Sequence, residues 1–433
     1  AKQIALFKDK SQDYIDAFAM VAVWSSHLSP EDGVIWDISP KSKGNVDLSD
    51  LPTSISDYDL FYNYEEGGDI GTGYEINPVT DLPYEEQFVA RGDYTRVLAE
   101  FWADGPDSET PPGHWFVLLN TTSDHPMMEK KYRGQGEILD DLQWDVKSYF
   151  ALGGTMHDVA ISAWGIKGWY DYIRPISALR YMADLGQSTN NLLSNYNPMG
   201  LPLIENQIEL VTSSDPLNGA SNEHLGKIKF RTWRGHDYIT DIDTDEAGVG
   251  WILAENWWPY QRPTFVTPNF GGYVSGHSTF SRAAAEVMTQ FTGTPYFPGG
   301  LGEFIAKKNE FLVFEEGPSE DIILQWATYR DASDQCSLSR IWGGIHPYID
   351  DLPGRLIGEQ IGQSSFEFAE TYFTEPLSIN EYQYANSKLF PNPVTNNDFI
   401  YLTLSASDMQ FFLIDLMGRS IPLVSSYDSS RNL

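Results

Sequence analysis

Cysteine is almost absent: Cys336 stands alone among 433 residues. No intramolecular disulfide can form and no cysteine-built zinc site exists, so cysteine usage leaves the compartment open. Long apolar runs are missing too. None approaches the roughly 18 residues that a spanning helix needs, and the opening AKQIALFKDK is not a signal peptide, so the chain reads as soluble. Basic residues are scarce, 28 against 61 acidic ones, giving a net charge of −33. A field of that sign disfavours nucleic acid and anionic membranes as partners. It suits a salty or extracellular setting, where screening blunts self-repulsion. Any site for an anion must then be assembled from local cations against the global field. Internal repeats and low-complexity tracts are also lacking.

What is present fits a large folded chain, with 41% hydrophobic and 14% aromatic residues. The first 150 residues place short helical patches, YIDAFAMVAVWSS and DYTRVLAEFWAD, between acidic, turn-rich loops. From about residue 136 apolar residues recur at three- and four-residue spacing, with Pro175 as an interior break. TFSRAAAEVMTQF and LPGRLIGEQIGQSSFEFAETYF predict two further helices. PSEDIILQWATYRDASD predicts another, entered through Ser319 with acids in its first turn. After about residue 376 the pattern alternates apolar and polar with turn dipeptides, which predicts strands. The expected architecture is mainly α, a helical bundle with long irregular loops over residues 1–376, and a strand-rich segment over 386–433.

Three segments carry chemistry. In KGWYDYIRP, Lys167 and Arg174 are seven residues apart. On one continuous helix they share a face, about 10.5 Å apart along the axis, and can clamp a tetrahedral oxyanion. The plainer reading is two surface cations. In GGYVSGHSTFSRAAAEV, Gly271 and Gly272 permit a tight turn, Ser275 offers a hydroxyl, and the Gly276 amide is open to a ligand. A helix starting near Ser278 and Thr279 aims its positive end at the same place, with His277 at the mouth. The plainer reading is an ordinary N-cap turn. In SRIWGGIHPYIDD, Arg340 offers a bidentate fork. Pro347 suits the first position of a helix, which puts His346 at its cap, and Asp350 lies where it can take an imidazole N–H. The plainer reading is a capping turn with a surface ion pair. Taken jointly, one lysine, two arginines, a serine, an amide and two histidines match what a buried oxyanion needs.

The pattern K-x6-R-P, S-G-H and S-R-x3-G-x-H-x3-D resembles the signature shared by vanadium-dependent haloperoxidases and the type 2 phosphatidic-acid and bacterial acid phosphatases. It is carried by Lys167, Arg174 and Pro175; by Ser275, Gly276 and His277; and by Ser339, Arg340, Gly344, His346 and Asp350. Flanking GDYTRVLAEFWADGPDSETPPGHW and WWPYQRPTFVTPNFGGYVSGH resemble the bacterial haloperoxidase branch, so the likeness spans roughly residues 90 to 370. It implies vanadate, vanadium(V), as cofactor. His346 would ligate the metal, with Asp350 behind it. Lys167, Arg174, Arg340, Ser275 and the Gly276 amide would hold the oxygens, and His277 would be the acid–base residue. Lys167 would also polarise bound peroxide. Phe270 falls where the family places an aromatic or a histidine beside the cofactor and would shape a halide niche; Tyr273, Trp233, Trp257 and Trp258 are weaker candidates for its wall, with core packing the plainer reading.

The implied reaction is oxidation of halide, iodide foremost, by hydrogen peroxide to hypohalous acid, which halogenates small organic acceptors. The alternative is an acid phosphatase using His346 as nucleophile and His277 as proton donor. A non-enzymatic phosphate- or vanadate-binding protein would gain nothing from two histidines. The other six histidines form no zinc pattern, and only His157, beside Asp158, is a candidate for a supporting role. Residues 387–421 resemble a truncated C-terminal sorting domain of type IX secretion, which implies export from a bacterial cell. Oligomeric state stays open.

Overall fold

The computed structural model describes residues 12–103 and 109–374, together with four two-residue strands near the C-terminus. The chain divides into two compact units, Ala1–Glu370 and Thr371–Leu433. In the second, Leu389–Phe390 pairs with Tyr401–Leu402 and Leu413–Ile414 with Ser420–Ile421, both antiparallel. The remainder of the sorting-domain likeness lies outside the described residues.

Eight α-helices build the rest, among the described residues: α1 Gln12–Trp24, α2 Arg91–Phe101, α3 Pro111–Asp124, α4 Asp141–Tyr170, α5 Pro175–Leu185, α6 Gly276–Thr292, α7 Tyr329–Trp342 and α8 Tyr348–Thr374. The centre is α6, in which all but Thr289 and Gln290 are buried. Such a helix has no solvent face, so small residues (Ala283, Ala284, Ala285) let neighbours close in on every side. It packs against α3, α4 and α7. On its last side comes α8, through Gly354, Gly358 and Gly362. A Cβ on these would stand 3.0, 2.5 and 2.6 Å from the backbone oxygens of Ser275, Thr279 and Ala283. A glycine ridge at four-residue spacing thus presses one helix backbone onto the other.

Charge is buried between the same helices in pairs, which avoids the cost of an isolated ion. Arg282 of α6 meets Asp334 of α7, and Arg355 of α8 bonds both Asp334 Oδ1 (2.9 Å) and Asp351 Oδ2 (2.8 Å). Outside the bundle, β1 Ile208–Leu210, β2 Ile228–Trp233 and β3 Val249–Leu253 form an antiparallel sheet, with Phe230 opposite both Ile208 and Ile252. Among the described residues no helix is long and apolar enough to cross a membrane.

One predicted helix is wrong in its first half. Residues 322–326 are a strand, β5, pairing antiparallel with β4, Gly302–Ala306, with Phe304 opposite Leu324. Ile322, Leu324 and Trp326 are buried while Ile323 and Gln325 are half-exposed, so a period of two won over the acidic cluster before it. Ser319 donates its hydroxyl to Asp93 instead of capping. The helix starts later, at Tyr329, through a capping box in which Thr328 and Asp331 satisfy each other's backbone N–H.

Candidate active site

The three motif segments converge at the N-terminal end of α6. Ser275 is its N-cap, accepting from the Ser278 N–H at 3.2 Å, and Gly276 is its first residue. The helix therefore begins two residues before the predicted start, and the unpaired first-turn amides lie at Gly276 itself. The backbone N–H of Ser275 donates to the Asp350 carbonyl at 2.9 Å, tying this turn to the start of α8.

Lys167 and Arg174 do come together, but by another route than a continuous helix. The α4 helix stops at Tyr170, and Asp171, in the left-handed region at φ 45°, turns the chain; Arg174 is the N-cap of α5. Both cations reach the same extended run. Lys167 Nζ donates to the carbonyls of Gly271 (3.0 Å) and Gly272 (2.7 Å), and Arg174 Nε to that of Phe270 (3.1 Å). Gly272 is held in turn by its N–H on the Tyr172 carbonyl at 2.8 Å. Glycine is required at 272, where a Cβ would stand 2.9 Å from Asp350 Oδ2.

His346 lies two residues before α8, and Pro347 immediately precedes the helix instead of opening it. Its Nδ1 sits 2.7 Å from Asp350 Oδ2 and its Nε2 3.0 Å from Arg174 Nη1. Arg174 can only donate, so Nε2 accepts from it and the Nδ1–H donates to the Asp350 carboxylate. Arg340, in the last turn of α7, donates Nη1 to the Trp102 carbonyl at 3.2 Å. A backbone hydrogen bond with Trp102 also holds the His277 ring, whose buried Nε2 has no partner among the described residues.

All of these groups are buried, and their proton affinities respond. Burial, then Arg174, pushes the Lys167 ammonium down to about 7, with Asp350 opposing. Burial brings Arg174 down to about 10. His346 and His277 fall well below the usual imidazole range, through burial and then through the neighbouring cations, Arg174 foremost for His346 and Arg340 for His277. Burial raises Asp350 to about 7, against the pull of Lys167 and Arg174.

The donor set fits a tetrahedral oxyanion. Lys167 and Arg174 bond only to carbonyls and one imidazole, and among the described residues no carboxylate lies within ion-pair distance of either. Two buried cations that share one carboxylate, Asp350, acting from beyond ion-pair distance, leave positive charge for an anion to balance. The Gly276 cradle, where a Cβ would stand 3.4 Å from the Trp164 ring, and the unused His277 Nε2 provide further donors or acceptors. These residues would hold vanadate.

Phe270 is not a core aromatic. It is 39% exposed, its centroid 5.4 Å from Lys167 Nζ and 5.4 Å from the Arg174 guanidinium carbon. Trp164 packs on it, centroids 5.3 Å apart. Sequence reading missed Trp164, although it precedes Lys167 by three and so shares its helical face. Trp233 and Trp257 are core residues, bonded to Glu315 and Thr232. Trp258 stacks under Arg180, and Tyr273 leans on Tyr170 and Tyr172. His157 sits exposed in the middle of α4, ten residues before Lys167, and supports nothing at the site.

No curated protein matches the chain. Among solved structures, a holo-type bacterial vanadium-dependent chloroperoxidase aligns at 18% identity and TM-score 0.43, covering 65% of this chain and 45% of that one. Its apo-type form gives 17% and 0.43, over 65% and 46%. A bacterial vanadium-dependent iodoperoxidase gives 18% and 0.36, over 64% and 43%. The chain thus spans less than half the length of the solved structures it matches. Residues 147–375, more than half of the chain, match the family model of the VCPO second helical-bundle domain, and the chain belongs to that family, the vanadium haloperoxidases.

Proposed function

We propose that the chain is a vanadate-dependent haloperoxidase that oxidises iodide with hydrogen peroxide to hypoiodous acid, which then iodinates small organic acceptors. The observation that carries this is the pair of buried cations, Lys167 and Arg174, gathered about the imidazole of His346 with no carboxylate within ion-pair distance of either among the described residues. Bound vanadate would supply a Lewis-acid centre at full oxidation state that activates peroxide. The protein's part is to hold and to move protons. His346 Nε2 would be the metal ligand, kept basic and oriented by Asp350. Lys167, Arg174, Arg340, Ser275 and the Gly276 amide would bond the oxygens, and Lys167 would polarise bound peroxide. His277, neutral through burial and with Nε2 unused, would take a proton from incoming peroxide and return it to the departing oxygen. Phe270 and Trp164 would form a half-exposed niche for the halide. Iodide is the easiest halide to oxidise, and so open a niche suffices for it.

We further propose that residues 386–433 act as a sorting segment that sends the enzyme out of a bacterial cell, on the sequence likeness alone. The decisive experiment reconstitutes metal-free protein with orthovanadate. Iodide, bromide and chloride oxidation are assayed with peroxide, alongside phosphate-monoester hydrolysis without vanadate. Vanadate-dependent oxidation, fastest with iodide, is expected. Phosphatase turnover with no vanadate-dependent oxidation would replace this reading with the acid-phosphatase one.

A further inference from the structure

Ser275 caps α6, and all but one of its polar functions are engaged. Its backbone N–H donates to the Asp350 carbonyl at 2.9 Å. Its own carbonyl accepts from the Thr279 N–H (3.1 Å) and the Thr279 hydroxyl (2.8 Å). Its Oγ accepts twice from a single residue, Ser278: from the backbone N–H at 3.2 Å and from the hydroxyl at 2.9 Å. A serine hydroxyl has two lone pairs and one proton. With both lone pairs filled, the proton alone is uncommitted among the described residues.

Ser278 stands at the third position of α6, where a capping box would put a Glu or Gln that reaches back to the cap's N–H. Here the Asp350 carbonyl already takes that N–H, and a short hydroxyl reaches the cap's side chain instead. Ser278 is fully buried, and α8 runs directly behind it: a Cβ on Gly354 would stand 3.0 Å from Ser278 Cβ. An ordinary cap leaves its hydroxyl proton several staggered positions. The two donors of Ser278 close all but one, and a hydroxyl that accepts hydrogen bonds is itself a stronger donor. The competing acceptor for the Ser278 proton is Asp351. Its carboxylate already receives Arg355 Nε (3.0 Å), Arg355 Nη2 (2.8 Å) and the Tyr62 hydroxyl (2.7 Å). Against burial, which pushes the Asp351 carboxyl up, Arg355 foremost and then Tyr62 and Ser278 hold it below its usual range. Were the Ser278 proton given to Asp351, Ser275 would have to donate to Ser278 and would be lost to the anion. The 2.9 Å bond to Ser275, beside a carboxylate already holding three donors, favours the other direction.

We propose that Ser278 is a positioning residue that acts through Ser275: by filling both lone pairs of the Ser275 hydroxyl, it commits that hydroxyl to donate toward the bound oxyanion. The inference rests on the oxyanion-site part of the haloperoxidase reading and holds equally for vanadate and for phosphate. Only hydrogen bonds are involved, and no proton changes owner.

The test is a double-mutant cycle on the full metal-free chain, read by equilibrium dialysis with orthovanadate and, separately, with inorganic phosphate. The proteins are wild type, Ser278→Ala, Ser275→Gly (a change that helix caps tolerate) and the double variant. Ser278→Ala keeps the backbone N–H and loses only the hydroxyl. It should weaken both anions about three- to tenfold. In the Ser275→Gly background the same change should weaken them no further, because Ser278 then has no hydroxyl to direct. Ser278→Cys, similar in shape but a weak donor, should fall between wild type and Ser278→Ala. A Ser278→Ala loss that persists undiminished in the Ser275→Gly background would reduce Ser278 to packing and overturn the proposal. Unchanged or tighter binding in Ser278→Ala would overturn it too, being the sign expected if the Ser278 proton goes to Asp351. A wild-type chain that binds neither anion would remove the oxyanion site and this inference with it. Anion binding without vanadate-dependent halide oxidation would remove the haloperoxidase reading alone, and the cycle would still decide the role of Ser278.

Discussion

His346 donates its Nδ1–H to Asp350 Oδ2, and this fixed tautomer leaves Nε2, which here accepts from Arg174, as the nitrogen whose lone pair a metal can take. The charge on Asp350 raises the basicity of Nε2. Asp350→Asn can keep a hydrogen bond but loses that charge, so vanadate affinity should fall by about 10- to 100-fold. Equilibrium dialysis with vanadium analysis reads this directly, and unchanged retention would show that Asp350 is not the supporting group. At this scale the sequence was highly legible. Residue identity and spacing marked Lys167, Arg174, Ser275, Gly276, His277, Arg340, His346 and Asp350, and the structure places all of them at the N-terminal end of α6. Trp164 was not legible: an aromatic on a helix looks like a core residue until its neighbours across the fold are known.

At the scale of elements, the site depends on how closely α8 rides on α6. Gly358→Ala would put a Cβ 2.5 Å from the Thr279 carbonyl oxygen, backbone that cannot swing aside. The expected loss is about 1–3 kcal/mol of stability in urea unfolding, with reduced vanadate retention because His277 rides on one of the two helices being pushed apart and His346 leads into the other. Wild-type stability in this variant would show that the ridge is slack. A second element is held by a titrating group. Glu100, in the last turn of α2, accepts from the Val313 N–H (2.8 Å), the Phe314 N–H (3.4 Å) and the Tyr260 hydroxyl (3.0 Å), yet burial pushes its carboxyl from 4.5 up to about 8. The folded state thus holds this proton more tightly than the unfolded chain does. Its contribution to stability is full below pH 4.5 and is lost as pH rises through about 8. The melting temperature of the wild type should decline more steeply than that of Glu100→Gln across this window, and parallel curves would contradict the assignment. Element boundaries were the least legible level. The break at Asp171 and the strand at 322–326 came from a left-handed turn and a cross-strand pairing that a local helical pattern does not reveal.

For the whole molecule, the net charge of −33 opposes any anion approaching the positive pocket. Screening over a Debye length of about 10 Å at 0.1 M salt should lift this barrier. The rate of vanadate uptake by metal-free protein should therefore rise several-fold between about 10 mM and about 0.5 M sodium acetate. That is the reverse of the slowing expected where the global field steers the ligand in. Recovery of iodide oxidation after mixing with orthovanadate measures it, and a fall with salt would mean that the local field of Lys167, Arg174 and Arg340 dominates beyond the pocket mouth.

By itself the sequence determined the kind of site. Three cations, two imidazoles and a carboxylate at fixed spacings define an oxyanion site because each acts through its own functional group, and functional groups are written in the sequence. Tertiary structure decided the rest: that Lys167 and Arg174 meet across a chain reversal, and that glycines 354, 358 and 362 bring α8 onto α6. Those are relations between segments far apart in the chain, fixed by close packing and by the need to pair buried charge, and no local window contains them.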